Sequence, residues 1–590
     1  MSSSSKSYAF KQSFGMFKRL WRDYACSYRI HVFAAIPCAM FAGGASAVQA
    51  YLFQPAIDQV LIAGDAQALW LIPLIFLLVS IVRGLASYAQ AVLIGYASER
   101  VVVGLQRDVF AKLLRLDMAF FHEYGESPQV GRFLTDVRFV REGMVKFFTS
   151  LPKEILSAFG MLGVLIYHSP MLSIVVLVIV PLFFYPVFLL GGRMRRVARR
   201  TQEEAGRMTA VLDQSLASVR QIKIAGRYDD EGARAGAVFD KMQKLLVKMI
   251  CYQQILTPMN EVLKAVCFGI SVVFGGYLVQ QGEMSVGGFT SFMVAFLGLF
   301  SPIRVLSKMN NIVQAGLAGM ESTFALLDRE AKIRDAHTAT DLQVHSGQVC
   351  FRDVRFGYSD NADVLQGFNL DIPGGSRCAL VGSSGSGKST ALSLLPRFID
   401  PTQGQVLIDD QDLRAVTLAS LHENIAYVSQ EVELFNLSLR ENLCYTYPEA
   451  TEADVARALD QVGLTEFVAD LPEGLETMIG ENGVRLSGGQ RQRIAFARAL
   501  MKGAPIILMD EATSALDSHS EQKLQQAIDG LDSKVTVIIV AHRLSTVRNA
   551  DMICVLHDGV VSEQGTHVEL SASGGMYAEF CRGQWADERA

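Results

Sequence analysis

The sequence predicts a chain of two classes, an all-α membrane-spanning half followed by an α/β half. Three observations predict this. Half of the 590 residues are hydrophobic and only 19% are charged, too apolar for a wholly water-soluble protein and too long for one domain. Lysine and arginine are absent from three long stretches of the first half, Ile30 to Val82, Glu154 to Gly192 and Ala265 to Ile303. From Gly347 the texture changes to short β-rich runs alternating with helical stretches.

Taken in order, residues 1–11 begin with "MSSSSKS" and read as a disordered tip. The following "FKQSFGMFKRLWRDYACSYR" mixes charge with aromatics, unlike a secretory signal, and predicts an amphipathic helix lying at the inner membrane surface. Basic side chains are costly at the bilayer centre and gather on the cytoplasmic side, so each stretch lacking them has room for two spans of about 20 residues and a short outer turn. The turns read "IAGDAQ", "YHSP" and "VQQGEMSVGG". Six spans are expected, at approximately 30–55, 67–96, 150–168, 170–192, 256–280 and 286–308, within a transmembrane domain covering 12–328. Both ends of that domain then lie in the cytoplasm.

Two charged segments separate the apolar stretches, one around "ASERVVVGLQRDVFAKLLRLDMAFFHEYGE" and one around "GGRMRRVARRTQEEAGRMTAVLDQ". Apolar residues recur at three- and four-residue spacing, so both are helical. Shared between two helices, each adds roughly 30 residues per helix, about 45 Å at helical rise. The membrane helices are therefore expected to continue into the cytoplasm, since neither segment has the turn chemistry of a self-contained fold. Residues 329–346, polar from Ala331, serve as linker, and 347–590 form the second domain, where "CALVG", "IAYVSQ", "IILMD", "VTVIIVAH" and "MICVLHDG" are the strands.

Composition excludes several classes. The nine cysteines are scattered without a C-x-x-C pair, which argues against zinc, haem attachment or a disulfide scaffold. A net charge of −5 without a long basic run gives nucleic-acid binding no electrostatic support.

The chemistry lies in the second half. "VGSSGSGKST" places Gly382, Ser383, Gly385, Ser386, Gly387, Lys388, Ser389 and Thr390 in a G-x-x-x-x-G-K-[ST] loop between a strand and a helix. Its glycines let backbone amides converge on phosphate oxygens, aided by the positive end of the following helix. Lys388 suits the β- and γ-phosphates of ATP, and the Ser389 hydroxyl suits Mg²⁺. The domain is thus an α/β P-loop nucleoside triphosphatase. About 120 residues later "IILMDEATSALD" ends a buried strand in Asp510, placed for the Mg²⁺ shell, with Glu511 next to polarise the attacking water. Between them "LSGGQRQRIAFARAL" sets Ser487, Gly488, Gly489 and Gln490 where a helix begins, and its amides and hydroxyl offer a second anion site. One fold has no reason to make two γ-phosphate cradles from distant stretches unless a nucleotide is held between two copies.

On these residues, positions from about 12 to 585 resemble an ATP-binding cassette exporter half-transporter, most of all the MsbA-like lipid A exporters. The resemblance implies ATP and Mg²⁺ as ligands, an export ATPase, and further roles. Tyr358 in "VRFGYSD" matches the aromatic that stacks on adenine, and Gln430 in "YVSQ" the glutamine that senses Mg²⁺. Gly480 to Gly483 match the exporter loop before the signature, Ser514 to Asp517 the D-loop, and His542 in "IVAHRLS" the switch histidine at the γ-phosphate. Because Glu511 and His542 are both present, the resemblance implies a homodimer with two hydrolytic sites. Two departures stand out. Asp410 replaces a glycine in the "DG" turn, and "FFHEYGESPQVGRFLTDV" lacks the usual Thr-Gly near Glu126 and Ser127, although Arg132 and Asp136 match. The contact of that first coupling segment stays open.

Arg83, Lys153 and Arg304 end the basic-free stretches and resemble the positions that surround the phosphorylated headgroup of a glycolipid; the competing reading is snorkelling at the interface. Glu261 and Lys264 are expected to pair with each other. The expected activity is ATP-driven export or flipping of an amphipathic, lipid-like substrate, with drug or glutathione-conjugate export as the alternative. The expected setting is a bacterial inner membrane rich in lipid partners, with the N-terminus and nucleotide-binding domain cytoplasmic.

Overall fold

The computed structural model describes residues 15–124, 127–358, 363–510, 518–541 and 543–583; within its helices the side chains of 122–135, 177–192 and several single positions lie outside that description. The chain divides into two compact units. One comprises Met1–Leu113 with Ser127–Arg329, the other Leu114–Glu126 with Glu330–Ala590. A piece of the first charged segment is therefore built into the cassette unit.

Among the described residues the elements of the membrane unit are all helices. Helix α1 (residues 15–20) runs through a π turn, Trp21–Ala25, and a 3-10 turn, Cys26–Tyr28, into α2 (Arg29–Pro55). Then follow α3 (Ala66–Leu113), α4 (Met118–Tyr124, in the cassette unit), α5 (Ser127–His168), α6 (Pro170–Ala217), α7 (Val219–Ala225), α8 (Tyr228–Gln254), α9 (Leu256–Gln280) and α10 (Val286–Leu327). The charged segments do continue the membrane helices: α3 and α6 are each 48 residues long, about 72 Å at helical rise. Ser285 and Ser169 start α10 and α6 by accepting hydrogen bonds from Gly288 N and Leu172 N.

Among the described residues four helices are long and apolar enough to cross a membrane: Gly15–Ile62, Ala66–Leu113, Asp136–His168 and Val286–Leu306. The expected span 170–192 falls on α6, where the side chains of 177–192 are outside the described set, and the expected span 256–280 falls on α9, where those of 256, 257, 260 and 263 are outside it. Helices α2, α3, α5 and α10 pack on one another, most extensively α5 on α10, while α6 lies chiefly along α8. Glycines permit the α5–α10 approach. A Cβ at Gly143 would sit 3.1 Å from Gly316 Cα, and one at Gly319 would sit 2.6 Å from the Asp136 carbonyl oxygen.

Helix α1, in the segment expected to lie at the membrane surface, is continuous with α2 through the two turns. Its apolar face is not left to lipid: Leu20 and Ala25 bury against Val101 and Leu105 of α3, Val140 and Met144 of α5, and Met320 and Phe324 of α10.

Among the described residues the cassette unit holds two sheets. An antiparallel one runs β2 (Leu365–Ile372), β1 (Val349–Phe356), β4 (Gln403–Ile408), β5 (Gln411–Asp412). The other runs β10 (Val560–Gly565), β9 (Met552–His557), β3 (Arg377–Gly382), β8 (Thr536–Val540), β7 (Ile506–Asp510), β6 (Ile425–Val428), parallel except at β10. Strands β7 and β8 are buried at every position, as their unbroken apolar runs require when both faces are covered. Alternate residues feed two cores: Ile507, Met509, Val537 and Ile539 one, Ile506, Leu508, Ile538 and Val540 the other. The helices are α11 (Lys388–Leu394), α12 (Leu418–Glu423), α13 (Leu439–Leu443), α14 (Glu452–Gln461), α15 (Thr465–Ala469), α16 (Gly488–Lys502), α17 (Ser518–Asp529), α18 (Leu544–Arg548), α19 (His567–Ser573) and α20 (Met576–Gly583).

The later part of the expected linker is not free chain. Leu342 is buried at 4% exposure, Thr340 bridges to Val416, and the Asp409 carboxylate accepts from the amides of His345, Ser346, Gly347 and Gln348. Asp409 and Asp410 both adopt the left-handed region, φ 47° and 59°, so Asp410 takes the turn that glycine usually fills.

Candidate nucleotide site

Register places the site. Leu380 of β3 and Asp510 of β7 both pair with Val540 of β8, so the phosphate loop, Asp510 and the residues after β8 leave neighbouring strands at their carboxyl ends, the edge where open α/β sheets bind ligands. Gly385 and Gly387 take φ of 82° and 99°, and a Cβ at Gly387 would lie 2.8 Å from Leu365 Cδ2. The turn into α11 therefore requires glycine there.

Lys388 is buried, and its ammonium donates to the carbonyl oxygens of Gly382 and Ser383 at 2.9 and 2.8 Å. Ser386 is buried, and its Oγ has no hydrogen-bond partner among the described residues. A buried orphan hydroxyl costs roughly 1–3 kcal/mol unless a ligand satisfies it, so the loop fits a phosphate group. The Ser389 hydroxyl donates to Asp510 Oδ1 at 3.2 Å. That pairs a hydroxyl and a carboxylate across 121 residues of sequence, the oxygen donors a hard divalent cation prefers. Tyr358 is exposed, its hydroxyl 3.3 Å from Thr390 Oγ1 and its ring edge-on to Phe356 at 5.0 Å. Gln430 is exposed just beyond β6, whose Val428 pairs with Met509, next to Asp510.

Glu511, Asp517 and His542 lie outside the described residues. The strands that lead into Glu511 and His542, β7 and β8, are adjacent.

The signature segment differs from its expected state in one respect. Ser487 caps α16, but its amide is not free. Gln490 closes a capping box, accepting from Ser487 N at 2.8 Å while Ser487 Oγ accepts from Gln490 N at 3.2 Å. The amides of Gly488 and Gly489, in the first turn of α16, have no acceptor within the helix.

Tyr427 was missed in the sequence. It faces Leu508 across β6 and β7, and burial, with the Asp510 charge adding to it, pushes its hydroxyl up to about 12. Within an apolar strand a tyrosine carries no signal beyond core packing.

Comparison with known proteins decides the family. Residues 32–303 match the model of the ABC transporter transmembrane region, and residues 365–514 match that of the ABC transporter. The chain is 36% identical over 583 residues to an ATP-dependent lipid A-core flippase of Chromobacterium violaceum, covering 99% of each. The chain belongs to the ATP-binding cassette exporters. A second ATP-dependent lipid A-core flippase, of Syntrophus aciditrophicus, is 35% identical over 98% of this chain and 96% of its own. A bacterial Atm1-family ABC exporter solved with ATP bound superposes with a TM-score of 0.83 at 28% identity, covering 95% of this chain and 98% of that one.

As an ABC exporter the protein is an integral membrane ATPase that couples ATP hydrolysis to transport. Two of its expected membrane cations share one helix face. Arg83 Nη1 donates to Gln49 Oε1 at 2.7 Å, Gln49 donates to Ser80 at 2.8 Å, and Lys153 of α5 donates to Ser87 at 3.3 Å. Arg83 and Ser87 are one turn apart on α3. Arg304 is exposed on α10, and Glu261 pairs with Lys264 at 2.6 Å. In the coupling segment, Asp117 accepts from Phe120 N at 3.2 Å, starting α4, and from Lys332 N at 2.6 Å. Gly125 and Glu126 lie outside the described residues.

Proposed function

We propose that two copies of this chain form an exporter that uses ATP to flip an amphipathic lipid with an anionic headgroup across a bacterial inner membrane. The observation that carries the substrate class is the pair Arg83 and Lys153: Arg83 of α3 bonds Gln49 of α2, and Lys153 of α5 bonds Ser87, one turn along α3 from Arg83. Cations on apolar spans held by half-buried polar side chains of neighbouring helices favour a functional site over snorkelling. The names of the two flippases point the same way, toward a lipid A-core cargo. The Lys and Arg distribution puts the N-terminus and the cassette on the cytoplasmic side.

Each nucleotide is held between copies. Lys388 exchanges its bonds to the Gly382 and Ser383 carbonyls for the β- and γ-phosphates, while Ser383, Gly385, Ser386 and Gly387 line the phosphates and Tyr358 stacks on adenine. Ser389, Asp510 and Gln430 would hold Mg²⁺, which supplies charge neutralisation on the phosphate oxygens. Ser487, Gly488, Gly489 and Gln490 of the second copy close the site, with Asp517 at the seam. Glu511 takes a proton from water as the water oxygen bonds to the γ-phosphorus and the bond to the β-phosphate oxygen breaks; His542 steadies the γ-phosphate. Long helices carry closure of the cassettes to the membrane unit and turn its cavity outward.

The test is ATPase activity of purified protein across anionic lipids, drugs and thiol conjugates. Stimulation by phosphorylated lipid that weakens in an Arg83→Gln, Lys153→Gln variant supports the reading. Stimulation unchanged by those substitutions places the cations at the interface, and preference for a drug or a thiol conjugate replaces the lipid.

A further inference from the structure

The chain entering the membrane unit carries a relay of charges that the transport cycle leaves unassigned. Arg22, with a side chain 75% exposed, donates from Nε to Asp23 at 2.7 Å. Asp23 also faces Arg19, 3.5 Å from its Nε. Arg19 in turn grips Asp328 with both terminal nitrogens, at 2.6 and 2.7 Å, its guanidinium 4.4 Å over the Phe324 ring. Asp328 caps the carboxyl end of α10, where the chain departs for the cassette. A carboxylate there opposes the helix dipole unless a cation neutralises it, and Arg19 is that cation.

The other side of this segment is open and basic. Lys18, Arg22 and Arg29 are all exposed. Through residue 29 the sequence holds Lys6, Lys11, Lys18, Arg19, Arg22 and Arg29 against Asp23 alone. The apolar stretch of α2 starts at Ile30, immediately after. Basic clusters abutting a membrane span attract negatively charged headgroups of the adjacent leaflet.

We propose that residues 15–29 are a docking surface for anionic phospholipid headgroups in the leaflet where α2 enters the bilayer, and that Arg22, Asp23, Arg19 and Asp328 report its occupancy to the last turn of α10. A headgroup phosphate that takes Arg22 releases Asp23 to pair more fully with Arg19. Arg19 then holds Asp328 less tightly, and the end of α10 is freed. This lipid is an effector on the outer surface of the bundle, distinct from the cargo. The readout through ATP turnover rests on the exporter reading; the docking surface does not.

The experiment uses the full chain in nanodiscs of phosphatidylcholine alone, or mixed about three to one with phosphatidylglycerol. Replacing Trp70 and Trp585 by Phe leaves Trp21 as the single tryptophan of the three. Brominated phosphatidylglycerol is expected to quench Trp21 several-fold more than brominated phosphatidylcholine, and Lys18→Gln with Arg22→Gln is expected to erase the preference and, by releasing Asp23, to move the ATPase rate in phosphatidylcholine toward that of the parent in phosphatidylglycerol. Equal quenching by the two lipids in the parent protein overturns the docking surface. Phosphatidylglycerol is also expected to change the ATPase rate of the parent and to leave that of Asp328→Asn unchanged. An Asp328→Asn protein that responds like the parent overturns the relay. Absence of hydrolysis in every lipid would count against the exporter reading and leave the Trp21 result standing.

Discussion

At the scale of single residues, catalysis and stability rest on carboxylates in particular surroundings. Glu511 is assigned the proton of the attacking water, so Glu511→Gln should bind ATP normally and lose turnover roughly 100-fold or more, measured by nucleotide binding and phosphate release. Asp409 is structural. Burial works against its charge, but the Ser346 hydroxyl and the amides of His345, Gly347 and Ser346 outweigh that and bring its pKa down from 3.8 to about 2. A depressed carboxylate stabilises the fold fully above its unfolded pKa, so this contribution is present above about pH 4 and disappears as pH falls toward 2. Discounted for solvent screening it amounts to about 1 kcal/mol. Asp409→Asn should therefore lower the thermal midpoint at pH 7, and the gap to the parent should close in acid. Lys388, Ser389 and Asp510 were legible because their spacing states their chemistry. The orphan Ser386 hydroxyl and the Asp409 hub were not, since satisfaction of a hydrogen bond depends on partners brought from elsewhere in the chain.

At the scale of elements, close helix approaches and caps carry the geometry. Gly319 faces the Asp136 carbonyl oxygen, where a Cβ would come within 2.6 Å. Gly319→Val should push α10 off α5 and cost about 1–3 kcal/mol, read as a lower unfolding midpoint with the phosphate-loop chemistry untouched. Ser487→Ala removes the acceptor of the α16 capping box, a loss of about 1 kcal/mol in helix stability, together with ATPase activity. Strands β3, β7 and β8 were legible as apolar runs bounded by motif residues, and the long helices as apolar periodicity continuing into charged sequence. The pairing of Arg19 with Asp328 was not, because it joins positions 309 residues apart. Nor was the membership of Leu114–Glu126 in the cassette unit, where Leu116 and Phe120 are buried, because no local pattern states which unit a segment joins.

At the scale of the whole molecule the central claim is that each nucleotide is completed by two chains, with Lys388 from one and Ser487 from the other. The phosphate loop and the start of α16 each offer an anion-binding helix terminus, and only a second copy gives both a reason. Co-expression of a Lys388→Ala chain with a Ser487→Arg chain, purified through two different tags, tests this directly. Each variant alone should be inactive. The mixed dimer retains one intact pairing, Lys388 of the second chain with Ser487 of the first, and should recover ATP hydrolysis. A mixed dimer as inactive as its parents, beside an active dimer of one unaltered chain with one chain bearing both substitutions, would contradict the shared site.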